Sequence, residues 1–212
     1  MRKLISVSSL PYNNNILESL KLIENSKTDF LHLDIMDGSL TESKTFNFDI
    51  VKEINSKTTI VLDAHLMINE PLKILDNYIK AKCNIITVHF EAFKNKNNLV
   101  KAIHKIKKSG LLVGISIYPE TSIEEIKDYL NLVDLVLIMS VNIGKYGQKF
   151  IETTLDKIKN LRKIYNGLIE VDGGINLSNK DEVFSAGADI LVVGGAFKNA
   201  ENKEEFIQKM RN

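Results

Sequence analysis

The residues best suited to chemistry lie in the stretch HLDIMDG at positions 32–38. His32 and Asp34 flank the apolar Leu33, so on one strand both polar side chains point to the same face. An ionisable group inside an apolar strand is costly to bury unless it has a partner. We therefore expect His32 and Asp34 to contact polar groups from elsewhere in the chain.

Two other segments supply those partners. His65 ends a second apolar run, in LDAHLM, and Asp172 ends a third, in EVDGG. Two imidazoles and two carboxylates form a donor set suited to one divalent ion, Zn²⁺ or Fe²⁺ first and Mn²⁺ or Co²⁺ next. We predict His32, Asp34, His65 and Asp172 as the ligands of that ion.

Three further ionisable residues receive structural interpretations. Asp63 lies two positions before His65, and we predict that it orients the His65 ring. We interpret His89 and His104 as hydrogen-bonded histidines of the core, because a lone histidine near a strand is more often that than a ligand.

Asp34 and Asp172 belong to well-separated segments and can flank one substrate from opposite faces. One carboxylate would remove a proton from a carbon and the other would return it from the far side. Since an aspartate with a pKa of ~4 is a weak base for a C–H bond, the carbanion needs stabilisation by the metal. The pattern indicates inversion at a carbon next to a carbonyl.

Alternating strand-like and helix-like segments must position these residues. Eight β-branched runs are separated by amphipathic segments throughout, which is typical of parallel sheets built from strand–helix units. The runs are 4–8, 30–34, 59–65, 85–89, 112–116, 133–139, 168–172 and 190–194. We predict an α/β fold, a single (β/α)₈ TIM barrel domain over residues 1–212 with its active site at the carboxyl ends of the strands. A doubly wound open sheet is the alternative.

The composition indicates which partners and which cellular location to expect. The 28 basic and 27 acidic side chains give a net charge of +1, so we expect no nucleic acid and no membrane surface as partner. No apolar stretch approaches the ~20 residues that cross a bilayer. The single cysteine, Cys83, cannot form an internal disulfide and precedes an apolar strand, which favours a buried structural thiol. We expect a cytoplasmic protein.

Glycine pairs follow the seventh and eighth strands, as Gly173–Gly174 and Gly194–Gly195. Glycines in the last two loops of a barrel let backbone N–H groups approach a phosphate, although paired glycines also serve tight turns. We predict a phosphorylated sugar as the small-molecule partner.

Four parts of the chain carry a family resemblance: HLDIMDG at 32–38, DAHLMI at 63–68, LVDLVLIMSVN at 132–142 with GQKF at 147–150, and IEVDGGIN at 169–176. Through these motifs, in this order, the chain shows a resemblance to the ribulose-phosphate 3-epimerase family. It implies a (β/α)₈ barrel of the pentose phosphate pathway that interconverts D-ribulose 5-phosphate and D-xylulose 5-phosphate through a metal-held enediolate. It also implies that Asp34 and Asp172 are both metal ligands and the acid/base pair.

The same resemblance implies further substrate contacts. Besides the metal-binding His32, His65 and Asp172, these are Ser8, the methionines Met36, Met67 and Met139, the cover-loop glycines Gly144 and Gly147, and the glycines Gly173, Gly174, Gly194 and Gly195. From composition alone the methionines are equally typical of barrel filling. A homo-oligomer built through the barrel's helices is common in the family, and we expect one here.

Three departures from the family pattern stand out. The cover loop reads VNIGKYGQ where VNPGFGGQ is usual, so Ile143, Lys145 and Tyr146 replace proline, phenylalanine and glycine. Residues 39–43 read SLTES in place of HFVPN, and Val7 stands where proline is common. None is a predicted metal ligand, so we expect the chemistry to be retained with altered loop kinetics or sugar tolerance.

Other functions remain open at this point. The same chemistry on a six-carbon ketose phosphate such as D-allulose 6-phosphate differs only in pocket size. A related lyase or decarboxylase commonly uses a lysine and acidic cluster that is absent here from the second and third strand ends. A phosphosugar-binding barrel without catalysis, acting as a sensor or structural partner, is the alternative from a different class.

Overall fold

The computed structural model describes residues 3–212, so the first two residues of the predicted domain lie outside the described part. Eight parallel strands within it follow one another in chain order, and β1 pairs with β8 to close a barrel. The strands are β1 (Leu4–Ser8), β2 (Phe30–Met36), β3 (Val61–Met67), β4 (Ile85–His89), β5 (Leu112–Ile117), β6 (Leu135–Met139), β7 (Leu168–Asp172) and β8 (Ile190–Val193). The predicted (β/α)₈ barrel is confirmed, and the open sheet is excluded.

Helices connect the strands and cover the outside of the barrel. They are α1 (Ile16–Asn25), α2 (Phe48–Lys57), α3 (Leu75–Lys80), α4 (Lys96–Lys108), α5 (Ile123–Ile126), α6 (Thr154–Arg162), α7 (Lys180–Ala186), α8 (Gly195–Asn199) and α9 (Lys203–Arg211). Short 3₁₀ turns lie at Leu10–Tyr12, Pro71–Lys73 and Lys127–Leu132. Among residues 3–212, no helix has both the length and the apolar character needed to cross a membrane.

Two helical segments are less regular than their sequence patterns indicate. The amphipathic segment over 71–81 begins as a 3₁₀ turn, and α3 starts only at Leu75. The amphipathic segment over 122–131 changes from α5 to a 3₁₀ segment at Lys127. This second segment begins with a capping box, in which the backbone N–H of Ser122 donates to the Glu125 carboxylate at 2.9 Å. In helices this short, packing decides the geometry more than propensity does.

The strands separate an outer apolar layer from a barrel interior of mixed character. Along β2, Leu31, Leu33 and Ile35 are fully buried against the helices, whereas His32 and Asp34 point inward. Apolar side chains at the amino ends of other strands fill the opposite end of the interior: Ile85, Leu135 and Ile190. Polar groups therefore gather at the carboxyl ends of the strands, where active sites of such barrels lie.

Candidate active site

Four ionisable side chains from three strands meet at the carboxyl end of the barrel. His32 and Asp34 come from β2, His65 from β3 and Asp172 from the end of β7. One donor atom from each lies within 4.8 Å of those of the others. The first three residues are buried, and Asp172 is partly exposed. The structure thus brings together the side chains that the sequence predicted as metal ligands.

The register between β2 and β3 determines which of these groups are neighbours. His32 lies beside Asp63, and Asp34 lies beside His65. Because all four residues occupy alternate positions on adjacent strands, all four side chains point into the barrel. The inward face of this strand pair therefore presents two layers, each with one imidazole and one carboxylate.

Asp63 orients His32, so the prediction that it orients His65 is wrong. Asp63 Oδ2 lies 2.8 Å from His32 Nδ1, in the same layer of the barrel. A second carboxylate that sequence reasoning missed, Glu170 on β7, lies 3.7 Å from the same nitrogen. With Nδ1 held by Asp63, Nε2 of His32 faces His65 Nδ1 at 3.2 Å.

His89 is a buried, hydrogen-bonded histidine as predicted, and its partner belongs to the site. His89 Nε2 lies 2.7 Å from His65 Nε2, and His89 Nδ1 lies 3.3 Å from a carboxylate oxygen of Glu91. Sequence reasoning did not single out Glu91. His104 was expected in the core and is instead exposed on α4, because Leu99, Ala102, Ile103 and Ile106 form the buried face of that helix.

Asp34 is held in place from two sides. The Ser8 hydroxyl on β1 donates to Asp34 Oδ2 at 2.7 Å, and the backbone N–H of Asp34 donates to Ser9 Oγ at 3.1 Å. The other carboxylate oxygen, Oδ1, lies 3.7 Å from His32 Nε2 and 3.6 Å from His65 Nδ1. One oxygen of Asp34 therefore faces the imidazoles while the other is fixed by Ser8.

The two aspartates differ in their electrostatic environment. Burial raises the pKa of Asp172 to about 7, and the negative charge of Asp34 adds to that effect. Burial acts in the same direction on Asp34, but the charge of His32 and the hydrogen bond from the Ser8 hydroxyl lower the pKa of Asp34 overall. At neutral pH one carboxylate of the pair is ionised and the other is near its midpoint, which suits a pair that exchanges acid and base roles.

The imidazoles also differ. Burial opposes protonation of His32, but the carboxylates of Asp63, Asp34 and Glu170 raise the pKa of His32 well above its ordinary value. Burial lowers the pKa of His65 to about 4. The layer around His32 therefore attracts positive charge, either as a proton or as a metal ion.

A cavity of about 260 Å³ opens directly above these groups. Of the predicted substrate-contacting residues, it is lined by Ser8, Met67, Met139, Gly144, Gly147, Asp172, Gly173, Gly174, Gly194 and Gly195, together with Asp34. His32 and His65 are fully buried beneath it. Met36 does not line it; the Thr41 hydroxyl donates to the Met36 sulfur at 3.3 Å.

The glycine pairs form the cavity wall away from the histidines. Gly174 has a φ of +66°, and a Cβ there would lie 2.3 Å from the backbone nitrogen of Phe150, so the loop after β7 requires glycine. Gly195 begins α8, whose first-turn N–H groups have no partner within the helix. Both loops present backbone at close range to whatever enters the cavity.

A comparison with protein families extends these observations. The family model described as "Ribulose-phosphate 3 epimerase family" matches residues 4–198. The chain belongs to the ribulose-phosphate 3-epimerase family.

Curated relatives in this family cover most of the chain. The chain is 36% identical over 189 residues to the ribulose-phosphate 3-epimerase of Aquifex aeolicus. The matched region covers 87% of this chain and 84% of that protein. It is 36% identical over 198 residues to the ribulose-phosphate 3-epimerase of Bacillus subtilis, and this match covers 91% of this chain and 90% of that protein. The chloroplastic ribulose-5-phosphate-3-epimerase of Arabidopsis thaliana is 38% identical, covering 92% and 70%. The resemblance noted from the motifs, and the assignment as an epimerase and hence an isomerase, are confirmed.

Solved structures confirm the fold at lower identity. The 3-keto-L-gulonate-6-phosphate decarboxylase of Vibrio cholerae superposes with a TM-score of 0.79 at 13% identity, over 100% of this chain and 96% of that chain. A 3-hexulose-6-phosphate synthase superposes with a TM-score of 0.72 at 15% identity, over 98% of each chain. At such identities the likeness concerns the barrel alone.

Two of the three departures from the family pattern, the segment after β2 and the cover loop, contact each other above the cavity. The Ser43 hydroxyl donates to the carbonyl of Gly144 at 2.9 Å, which joins the segment after β2 to the cover loop. Ile143, Lys145 and Tyr146 all line the cavity, and Tyr146 is 53% exposed. These two departures therefore lie over the entrance to the site, away from the four ligand candidates, whereas the third, Val7, is fully buried on β1.

Proposed function

We propose that this epimerase interconverts D-ribulose 5-phosphate and D-xylulose 5-phosphate by proton transfer at C3, with Asp34 and Asp172 as the two proton carriers and a divalent metal ion as cofactor. The observation that carries the proposal is the position of these two carboxylates and two imidazoles at the floor of a cavity with glycine loops in its wall. Membership of the family gives the reaction class.

The residues present fit a divalent metal ion. His32 Nε2 and His65 Nδ1 lie 3.2 Å apart, and each ring is held through its other nitrogen. Two nitrogens bound tetrahedrally to one Zn²⁺ lie about 3.3 Å apart. Imidazole nitrogen and carboxylate oxygen suit Zn²⁺ and Fe²⁺, and also Mn²⁺ and Co²⁺. When bound by His32, His65, Asp34 and Asp172, the ion would supply Lewis-acid stabilisation of negative charge on the substrate's oxygens.

The chain's own groups account for the proton movements. Asp34, fixed by the Ser8 hydroxyl, takes the C3 proton from one face of the substrate. Asp172, from the separate strand β7, returns a proton to the other face. In the reverse direction the two aspartates exchange roles, and the raised pKa of Asp172 keeps a proton available near neutral pH.

The substrate's phosphate binds at the glycine loops after β7 and β8. Gly173 and Gly174 bring backbone close to the cavity, and the first turn of α8 at Gly195 adds N–H groups without intrahelical partners. Met67 and Met139 supply apolar contact near the reacting carbons. In this proposal the phosphate lies across the cavity from the histidines.

Solvent-deuterium exchange tests the proposal. D-Ribulose 5-phosphate is incubated in D₂O with the protein as purified, after chelation, and after addition of Zn²⁺, Fe²⁺, Mn²⁺ or Co²⁺. We expect deuterium at C3 and D-xylulose 5-phosphate, both lost on chelation and restored by metal. Exchange only with D-allulose 6-phosphate would replace the five-carbon substrate by the six-carbon one, and no exchange with either from folded protein would favour a non-catalytic phosphosugar-binding barrel.

Two further expectations also remain proposals. We propose that the protein acts in the cytoplasm, in the pentose phosphate pathway, and that copies of the chain associate through the barrel's helices. Light scattering coupled to size-exclusion chromatography measures the association, and a monomer at micromolar concentration would contradict it.

A further inference from the structure

We propose that Glu91, acting through His89, fixes the proton of His65 on Nε2, so that Nδ1 of His65 presents its lone pair to the metal. Glu91 and His89 are then positioning residues, because neither touches the substrate or the metal. The inference rests on the proposed metal site and adds the two residues that prepare one of its ligands.

Both oxygens of the Glu91 carboxylate have partners. One oxygen, Oε1, accepts from the backbone N–H of Tyr118 at 2.8 Å and from the Thr121 hydroxyl. A backbone N–H only donates, so this oxygen is committed as an acceptor. The other oxygen, Oε2, lies 3.3 Å from His89 Nδ1 and also only accepts when the carboxyl is ionised. His89 must therefore carry a proton on Nδ1.

The proton on His89 Nδ1 determines which nitrogen of His65 carries a proton. A neutral imidazole has one N–H and one lone pair, so His89 Nε2 is an acceptor. His89 Nε2 lies 2.7 Å from His65 Nε2, and this short contact requires one donor and one acceptor. His65 therefore donates from Nε2 and keeps its lone pair on Nδ1.

The lone pair of His65 Nδ1 points toward the remaining ligand candidates. It lies 3.2 Å from His32 Nε2 and 3.6 Å from Asp34 Oδ1. His65 and His89 are both fully buried, so water does not compete for these contacts. Asp63 acts on His32 directly in the same way, whereas Glu91 reaches His65 through a second imidazole.

Glu91→Gln is the discriminating variant, because it keeps the shape and reverses the direction of the hydrogen bonds. The amide oxygen must stay on the Tyr118 N–H, which turns the NH₂ group toward His89 Nδ1. His89 then accepts at Nδ1 and donates from Nε2. His65 must accept on Nε2, and its proton moves to Nδ1, the nitrogen that faces the metal site.

Two measurements follow this change. Long-range ¹H–¹⁵N spectra of the metal-free protein at neutral pH report which nitrogen of each histidine carries the proton. The chain has only four histidines, and the exposed His104 serves as an internal reference. We expect Nε2–H on His65 and Nδ1–H on His89 in the unsubstituted protein, and Nδ1–H on His65 in Glu91→Gln. Competition with a chelator should show Zn²⁺ affinity lowered about 10–100-fold in the variant.

Glu70→Gln is the matched control. The Glu70 carboxylate also accepts a backbone N–H, from Lys94 at 2.9 Å, and its contacts include none of the histidines. This control should leave both the histidine signals and Zn²⁺ affinity unchanged.

Three outcomes would overturn the inference. One is Nδ1–H on His65 in the unsubstituted protein, which needs no variant to observe. Another is Zn²⁺ affinity in Glu91→Gln within twofold of the unsubstituted protein. The third is a lowered Zn²⁺ affinity in Glu91→Gln with the His65 proton still on Nε2. The lost affinity would then come from the lost charge of Glu91 alone. Absence of epimerisation by the unsubstituted protein would instead refute the proposed function. It would not change the histidine spectra of the metal-free protein, so the two failures can be told apart.

Discussion

Replacing Asp172 by asparagine separates the two proton-transfer steps. The change is nearly isosteric and removes the group that can carry a proton on the β7 side of the cavity. Asp34 keeps its hydrogen bond from Ser8 and its contacts with the imidazoles, so the opposite side of the site is untouched. At saturating metal, a loss of function in this variant therefore belongs to one face of the substrate.

The expected loss follows from the role assigned to Asp172. Removing a positioned general acid or base lowers a rate by roughly 10²–10⁴-fold. At about 1.4 kcal/mol per factor of ten, this corresponds to roughly 3–5.5 kcal/mol of transition-state stabilisation. Since Asp172 is also a candidate metal ligand, weaker metal binding adds to the loss unless the assay is saturated with metal.

The assay follows deuterium from D₂O into C3 of each epimer separately, at saturating metal. In the unsubstituted protein both epimers exchange. In Asp172→Asn we expect the epimer whose C3 hydrogen faces Asp34 to exchange slowly and the other epimer not at all, with little product. Asp181→Asn, on the exposed carboxylate of α7, is the matched control and should behave like the unsubstituted protein.

Equal exchange of both epimers in Asp172→Asn would refute the two-carboxylate mechanism. Turnover within tenfold of the unsubstituted protein would refute it as well. In either case another group would have to serve the face assigned to Asp172.

Three further changes test other parts of the structure. Ser8→Ala leaves Oδ2 of Asp34 without a donor and the Leu10 N–H without an acceptor. The free energy of unfolding, measured in urea, should therefore fall by about 1–3 kcal/mol, and a fall below about 0.5 kcal/mol would contradict this. Burial raises the pKa of Cys83 to about 12, which keeps the thiol protonated and unreactive. Ellman's reagent at pH 8 should therefore label Cys83 only when the protein unfolds. Immediate labelling would show that the thiol is accessible in the folded protein. Tyr146 forms part of the cavity wall, and the centre of its ring lies 5.8 Å from Lys198 Nζ. Tyr146→Gly removes this part of the wall and this contact, so KM should rise about two- to fivefold. Unchanged KM and kcat would show that the substitution is neutral.

Much of the fold was predictable from local patterns. Eight β-branched runs separated by amphipathic segments predicted the barrel, because parallel strands buried on both faces need continuous apolar sequence with helices between them. The alternation of His32 and Asp34 with apolar residues predicted that both share one face of the strand, since side chains on a strand alternate between its two faces. The ligand candidates His65 and Asp172 followed because strand carboxyl ends meet at one end of a barrel.

The partners of those residues depended on the register between strands. The sequence places Asp63 two positions from His65, yet side chains two positions apart on one strand are stacked along it, and Asp63 pairs across to His32 on β2. Glu170 is adjacent to His32 only because the barrel closes. Register results from the shear of the closed sheet, to which every strand contributes, so no local pattern contains it.

The sequence by itself determined the barrel, the direction of the inward-facing side chains and the end at which they meet, because these follow from side-chain periodicity and the order of elements. Only the tertiary structure decided the proton network. His89 and Glu91 lie more than 20 residues after His65 in the chain, and the hydrogen bonds that join them depend on the pairing of β3 with β4 and on the position of the Tyr118 N–H after β5. Hydrogen bonds require atoms within about 3.5 Å, and such distances between different strands are set only when the barrel closes.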